Sequence, residues 1–290
     1  MRVIAELVMR GRAHAGAIAL LGTLLPLVTP AVVALVTLRK GAIEGTIVLF
    51  IGLLPTLVAF GTDGAQILVF MLTVLGLVVV YISALILRKT ASLSSTLISL
   101  LVLSIVALLL TKQLIPTYLD NLVDVLSRAI MEQARATGAD VSSVGINETS
   151  FIGLLGVIIM LNGICSLFLG RWWQSLLYNP GGFGADFHQF RLGPALATIC
   201  LVISAYFLVQ GDAHSTWSFM FALPLILVAI AIVHAVAKPL KNARQWLIIF
   251  YVAVIVLSIF QFANYVQIIL MGIGFLDNWL NFRSRRSQPA

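Results

Sequence analysis

"QILVFMLTVLGLVVVYISALILRK", residues 66–89, runs for twenty-two residues without a charge and stops at Arg88 and Lys89. As a helix, a run of this length covers the roughly 30 Å of hydrocarbon in a bilayer. Backbone groups find no water there, so the run must close its own hydrogen bonds as a helix. The strand-period alternation of a membrane barrel is absent. Further apolar runs lie at 42–60, 91–111, 151–170, 193–209, 216–237 and 245–276, each set off by short charged stretches. The whole chain of 290 residues is 60% apolar and 10% charged, with a mean hydropathy of +1.06, where soluble domains carry about 25% charged residues. The expected fold is an all-α polytopic integral membrane protein: one transmembrane domain over residues 1–290, with eight to ten membrane helices.

A net charge of +7 raises nucleic acid as a partner, but that needs basic residues gathered on a soluble face. Here they stand in pairs at the ends of apolar runs, and the bilayer is the partner they indicate. Their spacing also constrains the first apolar stretch, Ala13 to Leu38, which Pro26 and Pro30 interrupt. If that stretch crosses an even number of times, twelve basic residues share one side: Arg2, Arg10, Arg12, Arg39, Lys40, Arg88, Lys89, Arg171, Arg191, Lys238, Lys241 and Arg244. The other side then keeps Lys112, Arg128 and Arg135 beside seven acids, Asp63, Asp120, Asp124, Glu132, Asp140, Glu148 and Asp212. The positive-inside rule therefore predicts a hairpin or broken helix at 13–38 and a cytoplasmic N-terminus. Cleavage near Ala34, as in a signal peptide, would leave Arg39 and Lys40 outside and break this parity. The 245–276 run is too long for one upright helix: it turns back near "QFANYVQ" if Arg283, Arg285 and Arg286 are inside, or tilts if they are outside.

Residues 112–150 form the only long connection and fall on the extracytoplasmic side. Leu119, Leu122, Val123, Leu126 and Ile130 recur at helical spacing, with Asp120, Asp124, Arg128 and Glu132 opposite. The pattern predicts an amphipathic helix with Pro116 in its first turn and a cap at Gly138, lying on the bundle or closing over a pocket.

Chemistry is sparse. No Asp, Glu, Lys or Arg falls in the middle of a span, which argues against a relay of buried carboxylates. HExxH, GxSxG and GK[ST] are missing, and His14, His188, His214 and His234 are scattered. Cys165 and Cys200 lie in apolar runs as expected buried thiols. No catalytic residue, metal site or cofactor is expected. The polar side chains inside spans are Asn162, Gln261, Asn264 and Gln267, the last three spaced by three. Such groups either bond helix to helix or line a pocket for a neutral ligand, and a broken helix at Pro26 and Pro30 would help to build one.

The expected cytoplasmic loop, 171–192, opens on Arg171, Trp172 and Trp173, read as an interfacial anchor. "NPGG" at 179–182 is a turn, and Phe183, Phe187 and Phe190 share one helical spacing. They pack back on the bundle, or, with His188 and Arg191, dock a cytoplasmic partner.

The prolines at 26 and 30, "ALVTLRKGAIEG" at 34–45 and "LFLGRWWQSLLYNPGGFGADFHQFRLGP" at 167–194 resemble the proteobacterial branch of the YybS-like membrane proteins. That family is in turn distantly similar to the substrate-capturing S-components of energy-coupling-factor transporters. S-components carry an Ala-x3-Ala motif on the first helix that packs on a coupling subunit; Ala13 and Ala17, and Ala15 and Ala19, have that spacing here. The resemblance implies a multi-pass protein of the bacterial cytoplasmic (inner) membrane. Its implied role is a small-molecule-binding or transport subunit, with a coupling or ATPase subunit as partner to supply energy. The alternative is a non-transporting protein of cell-envelope assembly that recruits its partner through the 171–192 loop.

Overall fold

The computed structural model describes residues 1–59, 64–137 and 147–283, which are helical, with no strand among them. The break in the first apolar stretch organises the bundle. Helix α1 (Arg2–Met9) leads into α2 (Arg12–Leu21), which tightens into a 3-10 turn at Gly22–Leu24 before α3 (Val28–Lys40) begins. Leu25 leaves the turn extended, at φ −125° and ψ 116°, as expected of a residue whose α conformation would clash with the ring of the following proline. The two arms lie side by side, and the Thr29 hydroxyl donates to the Ala19 carbonyl at 2.7 Å. Their outer ends meet, because Arg12 pairs with Glu44 in the first turn of α4 (Ala42–Val58). The two arms fold back on each other as a hairpin, one of the two forms, hairpin or broken helix, that the charge parity favours.

At about 1.5 Å per residue, the hairpin arms are roughly 15 and 20 Å long. Their neighbours are longer: α5 (Gly64–Thr90), α6 (Leu93–Leu114) and the 31-residue α8 (Glu148–Tyr178). Five helices are long and apolar enough to cross a membrane: Gln66–Thr90, Leu93–Leu114, Glu148–Tyr178, Asp212–Ala237 and Ala243–Phe260. An all-helical chain with five such segments fits a membrane protein. The expected eight to ten crossings are therefore not all met on length and apolarity together. Helix α4 and α10 (Pro194–Val209) are apolar but only 17 and 16 residues long.

Contacts between helix ends give the path. At one end, which carries the basic residues, Arg88 donates to the Leu38 carbonyl at 2.7 Å and the Arg39 guanidinium lies over the Tyr178 ring. There too Ser94 donates to the Leu192 carbonyl. At the far end Lys112 pairs with Glu148 at 2.8 Å, and Trp217 of α11 (Ser215–Ala237) donates to the Thr149 carbonyl. The last apolar run does turn back. Helix α12 (Ala243–Leu257) leaves the basic end, a π turn at Ser258–Phe262 reverses the chain, and α13 (Ala263–Leu280) returns along α11. Gln267 bonds Ser218, and Arg283 reaches the His188 carbonyl at 2.6 Å. Arg283 therefore lies at the basic end; residues 285 and 286 are outside the described residues.

Helix α7 (Pro116–Thr137) is the amphipathic helix expected, with Pro116 in its first turn and Leu119 and Val123 buried against the bundle. The cap expected at Gly138 lies outside the described residues.

Helix α3 is the core of the bundle, buried from Thr29 through Leu38. Lipid tails are as apolar as leucine, so close packing rather than transfer from water holds such a helix. Gly170 of α8 provides the closest approach: a Cβ there would meet the Ala34 Cβ at 2.9 Å, the Ala31 carbonyl at 3.0 Å and the Leu35 amide at 3.1 Å.

Candidate functional site

Because the hairpin stops part-way, the far half of the bundle lacks a central helix and holds a cavity of about 510 Å³. Its floor is the hairpin tip, Thr23, Pro26, Thr29 and Pro30. Its walls come from α4 (Gly52 to Ala59), α5 (Val69 to Leu77) and α8 (Ile158 to Asn162). Among the described residues, no Asp, Glu, Lys, Arg or His lines it.

The polar groups of this cavity are only partly engaged. Asn162, near the middle of α8, donates from Nδ2 to the Pro26 carbonyl at 3.2 Å, which ties the unwound tip to a full-length helix. Its Oδ1 and second N–H have no other partner among the described residues. The Thr29 and Thr73 hydroxyls donate to the backbone carbonyls of Ala19 and Val69 and keep their lone pairs. The Thr56 hydroxyl makes no hydrogen bond among the described residues. Pro55 lies inside α4 and has no N–H, so the Ile51 carbonyl loses its helical donor beside the cavity.

The other amides expected with Asn162 do not join it. Gln267 is buried and donates to Ser218 Oγ at 2.8 Å, which in turn bonds Ser204, so it links α13, α11 and α10. Asn264 is exposed on the opposite margin of α13. Gln261 falls in the π turn and its side chain is outside the described residues. A spacing of three turns a helix by about 300°, so neighbours in such a series drift by about 60° and one can be buried while the next is not.

The expected loop at 171–192 is mostly helix. Helix α8 continues to Tyr178 and α9 spans Gly182–His188. Trp172 is 38% exposed, but Trp173 is a core residue at 1%, so only one of the pair meets the surface. Adjacent helical positions point about 100° apart, which forbids a shared anchor role. Arg171 pairs with Asp186 at 2.6 Å. Phe183 and Phe187 sit edge-on to Phe168 with ring centres 5.4 and 5.7 Å away, and Phe190 is buried. Arg191 and Arg283 both hold the fully buried Asp277 carboxylate, Arg283 at 2.6 Å. Asn278 Oδ1 accepts from the Leu192 and Gly193 amides. The segment is locked to the end of α13, and its phenylalanines and Arg191 are engaged within the chain. The His188 ring is held below the ordinary histidine value, first by burial and then by the positive charges of Lys238 and Arg283.

Ala15 and Ala19 are buried, whereas Ala13 and Ala17 lie on the exposed face of α2. Cys165, expected to be buried, is exposed; Cys200 is buried. A second cavity of about 290 Å³ lies at the far end beside the Lys112–Glu148 pair, roofed by Phe207 and Trp217. Helix α7 lines neither cavity. The described residues hold no group of three or more His, Cys, Asp and Glu suited to a metal ion.

Sequence reasoning flagged Pro26, Pro30 and Asn162, but not Thr56, Pro55 or Gly76, which join them in the cavity. Pro55, a proline inside an apolar run, was the one available signal. Comparison with family models, with curated proteins and with solved structures finds no match.

Proposed function

We propose that the protein is a small-molecule-binding or transport subunit of the bacterial inner membrane, with its site in the cavity above the α2–α3 hairpin. The observation that carries this reading is a cavity of about 510 Å³ at a helix break, lined without charge and with hydrogen-bonding capacity to spare on Asn162 and Thr56. Unwound backbone at membrane depth is tolerated where it lines a cavity, and it is a recurrent way to build a binding site there. In this reading α4, α5, α6, α8, α10, α11, α12 and α13 make eight crossings and the hairpin re-enters. The basic end, with both Arg12 and Arg283, faces the cytoplasm. The chain offers no nucleotide-binding loop and no buried acid relay, so transport would draw its energy from a coupling or ATPase subunit. Ala13 and Ala17, outward on α2, are where the S-component resemblance would put that contact. The assembly reading needs a docking face at 183–191, where Phe183, Phe187 and Arg191 are already engaged within the chain.

Gly76 gives a clean test. A Cβ there meets nothing within 4 Å, so the side chain of Gly76→Phe starts into open space and takes up volume at the site. Native mass spectrometry of protein purified in mild detergent is expected to show a retained small molecule in wild type and its loss in Gly76→Phe, with apparent Tm unchanged or raised. Equal retention in both, or none in either, would refute the reading.

A further inference from the structure

The rim of the hairpin cavity is apolar and exposed. Leu24 is 84% exposed, Leu25 60%, Val69 61% and Ile158 49%, and Ile158 stands near the middle of α8. In a bundle that spans a bilayer, the middle of its longest helix faces hydrocarbon rather than water. Leu154, Leu161 and Cys165 continue the same exposed stripe above and below Ile158. Among the described residues the lining holds no ionisable group, so a charge moved there would pay for its dehydration without a partner from them.

The polar groups inside narrow the ligand further. Asn162 keeps an acceptor oxygen and one N–H, Thr56 keeps a whole hydroxyl, and Thr29 and Thr73 keep acceptor lone pairs. Acceptors outnumber donors, and both are present. A carboxylate or phosphate brings only acceptors when ionised; an ammonium or quaternary amine needs an anion or an aromatic cage, and the described residues of the lining supply neither. A hydroxyl donates and accepts at once and matches what is left unpaired.

We propose that the cavity takes its ligand sideways from the hydrocarbon layer, and that the ligand is a neutral, lipid-soluble molecule bearing a hydroxyl group that seats against Asn162 and Thr56. This rests on the cavity being the functional site, and it commits that site to a membrane-dissolved alcohol rather than a water-soluble solute. The body of the ligand lies along Leu72, Leu77 and Ile159, and its hydroxyl sits at the depth of the hairpin tip.

The test uses the full chain in phosphatidylcholine vesicles and three diazirine photoprobes: a twelve-carbon alcohol, the matching carboxylate, and a four-carbon diol added from water. Labelled peptides are mapped by mass spectrometry. The alcohol is expected to label 52–59, 69–77 and 158–162, to be displaced by unlabelled dodecanol, and to lose about tenfold of that labelling in Gly76→Phe. Thr56→Val removes a hydroxyl that holds no other group, so the fold should be untouched; its labelling by the alcohol should fall roughly threefold or more, the equivalent of one membrane hydrogen bond. A diazirine alkane of the same length should label wild type and Thr56→Val alike. Alcohol labelling spread evenly over the exposed faces of α8 and α12, or insensitive to Gly76→Phe, overturns the proposal. Cavity labelling by the diol or the carboxylate as strong as by the alcohol overturns the ligand class while leaving a ligand site standing. Absence of cavity labelling by every probe, with no retained molecule in the purified protein, overturns both.

Discussion

The two halves of this bundle solve the same problem, polar groups at the ends of broken helices, in opposite ways. At the basic end the turn at 188–193 is densely paired, although the Nε atoms of Arg191 and Arg283 are buried without a hydrogen bond. Asp277 accepts from Arg283, Arg191 and the Phe282 amide, Asn278 takes the Leu192 and Gly193 amides, and Arg283 bonds the His188 and Phe190 carbonyls. At the hairpin tip two side-chain hydrogen bonds, Asn162 to the Pro26 carbonyl and Thr29 to the Ala19 carbonyl, hold the break, and the remaining capacity of Asn162 and Thr56 is unspent. A knot whose charges are paired within the chain fixes a fold; a cavity whose polar groups keep spare capacity is a place for something else. Charge alone would have pointed the other way, because ionisable residues cluster at the knot and none of the described residues lining the cavity is ionisable.

The sharpest way to break this contrast is Asp277→Ala. It strands two arginines that are 28% and 14% exposed in their side chains beside a carboxylate that is fully buried. Removing one partner of such a cluster costs on the order of 3 kcal/mol, or about 6–12 °C of apparent Tm for a chain of this size. Asp277→Asn should recover part of the loss, since it still accepts from the Phe282 amide. The cavity is remote from the knot, so ligand retained per folded molecule should not change. A fall of less than about 2 °C would show that the cluster is not what holds the segment.

Gly170→Val strikes the hairpin instead. Its side chain would press on the Ala31 carbonyl and the Leu35 amide, which are backbone and cannot swing away. Overpacking of this kind costs roughly 1–3 kcal/mol. Unlike Asp277→Ala it displaces α3 and the tip above it, so ligand retention should fall at temperatures where the helical CD signal persists. Loss of both together at the same temperature would mean that hairpin and bundle are one cooperative unit and that the contrast drawn here is false.

Much of this arrangement was legible before any coordinates. Hydropathy located the apolar runs, and the basic residues on either side of the first of them favoured a hairpin or broken helix at Pro26 and Pro30. In the structure the two arms lie side by side and Arg12 pairs with Glu44. Periodicity found α7 with its first-turn proline. What failed was the reading of polar residues inside helices. Hydropathy ends α8 at Gly170, but "RWWQSLLY" continues it, because polar side chains on one face do not stop a helix that has a surface to reach. The shared spacing of Gln261, Asn264 and Gln267 did not make a shared surface, because a π turn breaks the run and α11 covers only one side of α13. The partners of Asp277, 86 and 6 residues away, carry no local pattern at all. Threonines 29 and 56 met at a cavity that exists only because α3 stops short.

The smallest expected effect concerns acid, and it separates the two halves by a different property. His188 sits in the knot, and its protonation is disfavoured there by burial first and by Lys238 and Arg283 next. When the segment undocks, the ring returns to an ordinary value near 6.5. In the window between the two values the undocked form binds more protons than the docked form, so stability rises with pH across it. The contribution of His188 is complete above about 6.5 and is lost as the pH falls below it. Apparent Tm measured from pH 8 to pH 5 should therefore decline on the acid side in wild type, and the decline should be shallower in His188→Gln. Cavity labelling measured over the same range should stay level, since no ionisable group lines that site. Parallel curves for wild type and His188→Gln would remove the histidine from the knot, and acid-sensitive labelling would bring charge back to a cavity whose described lining has none.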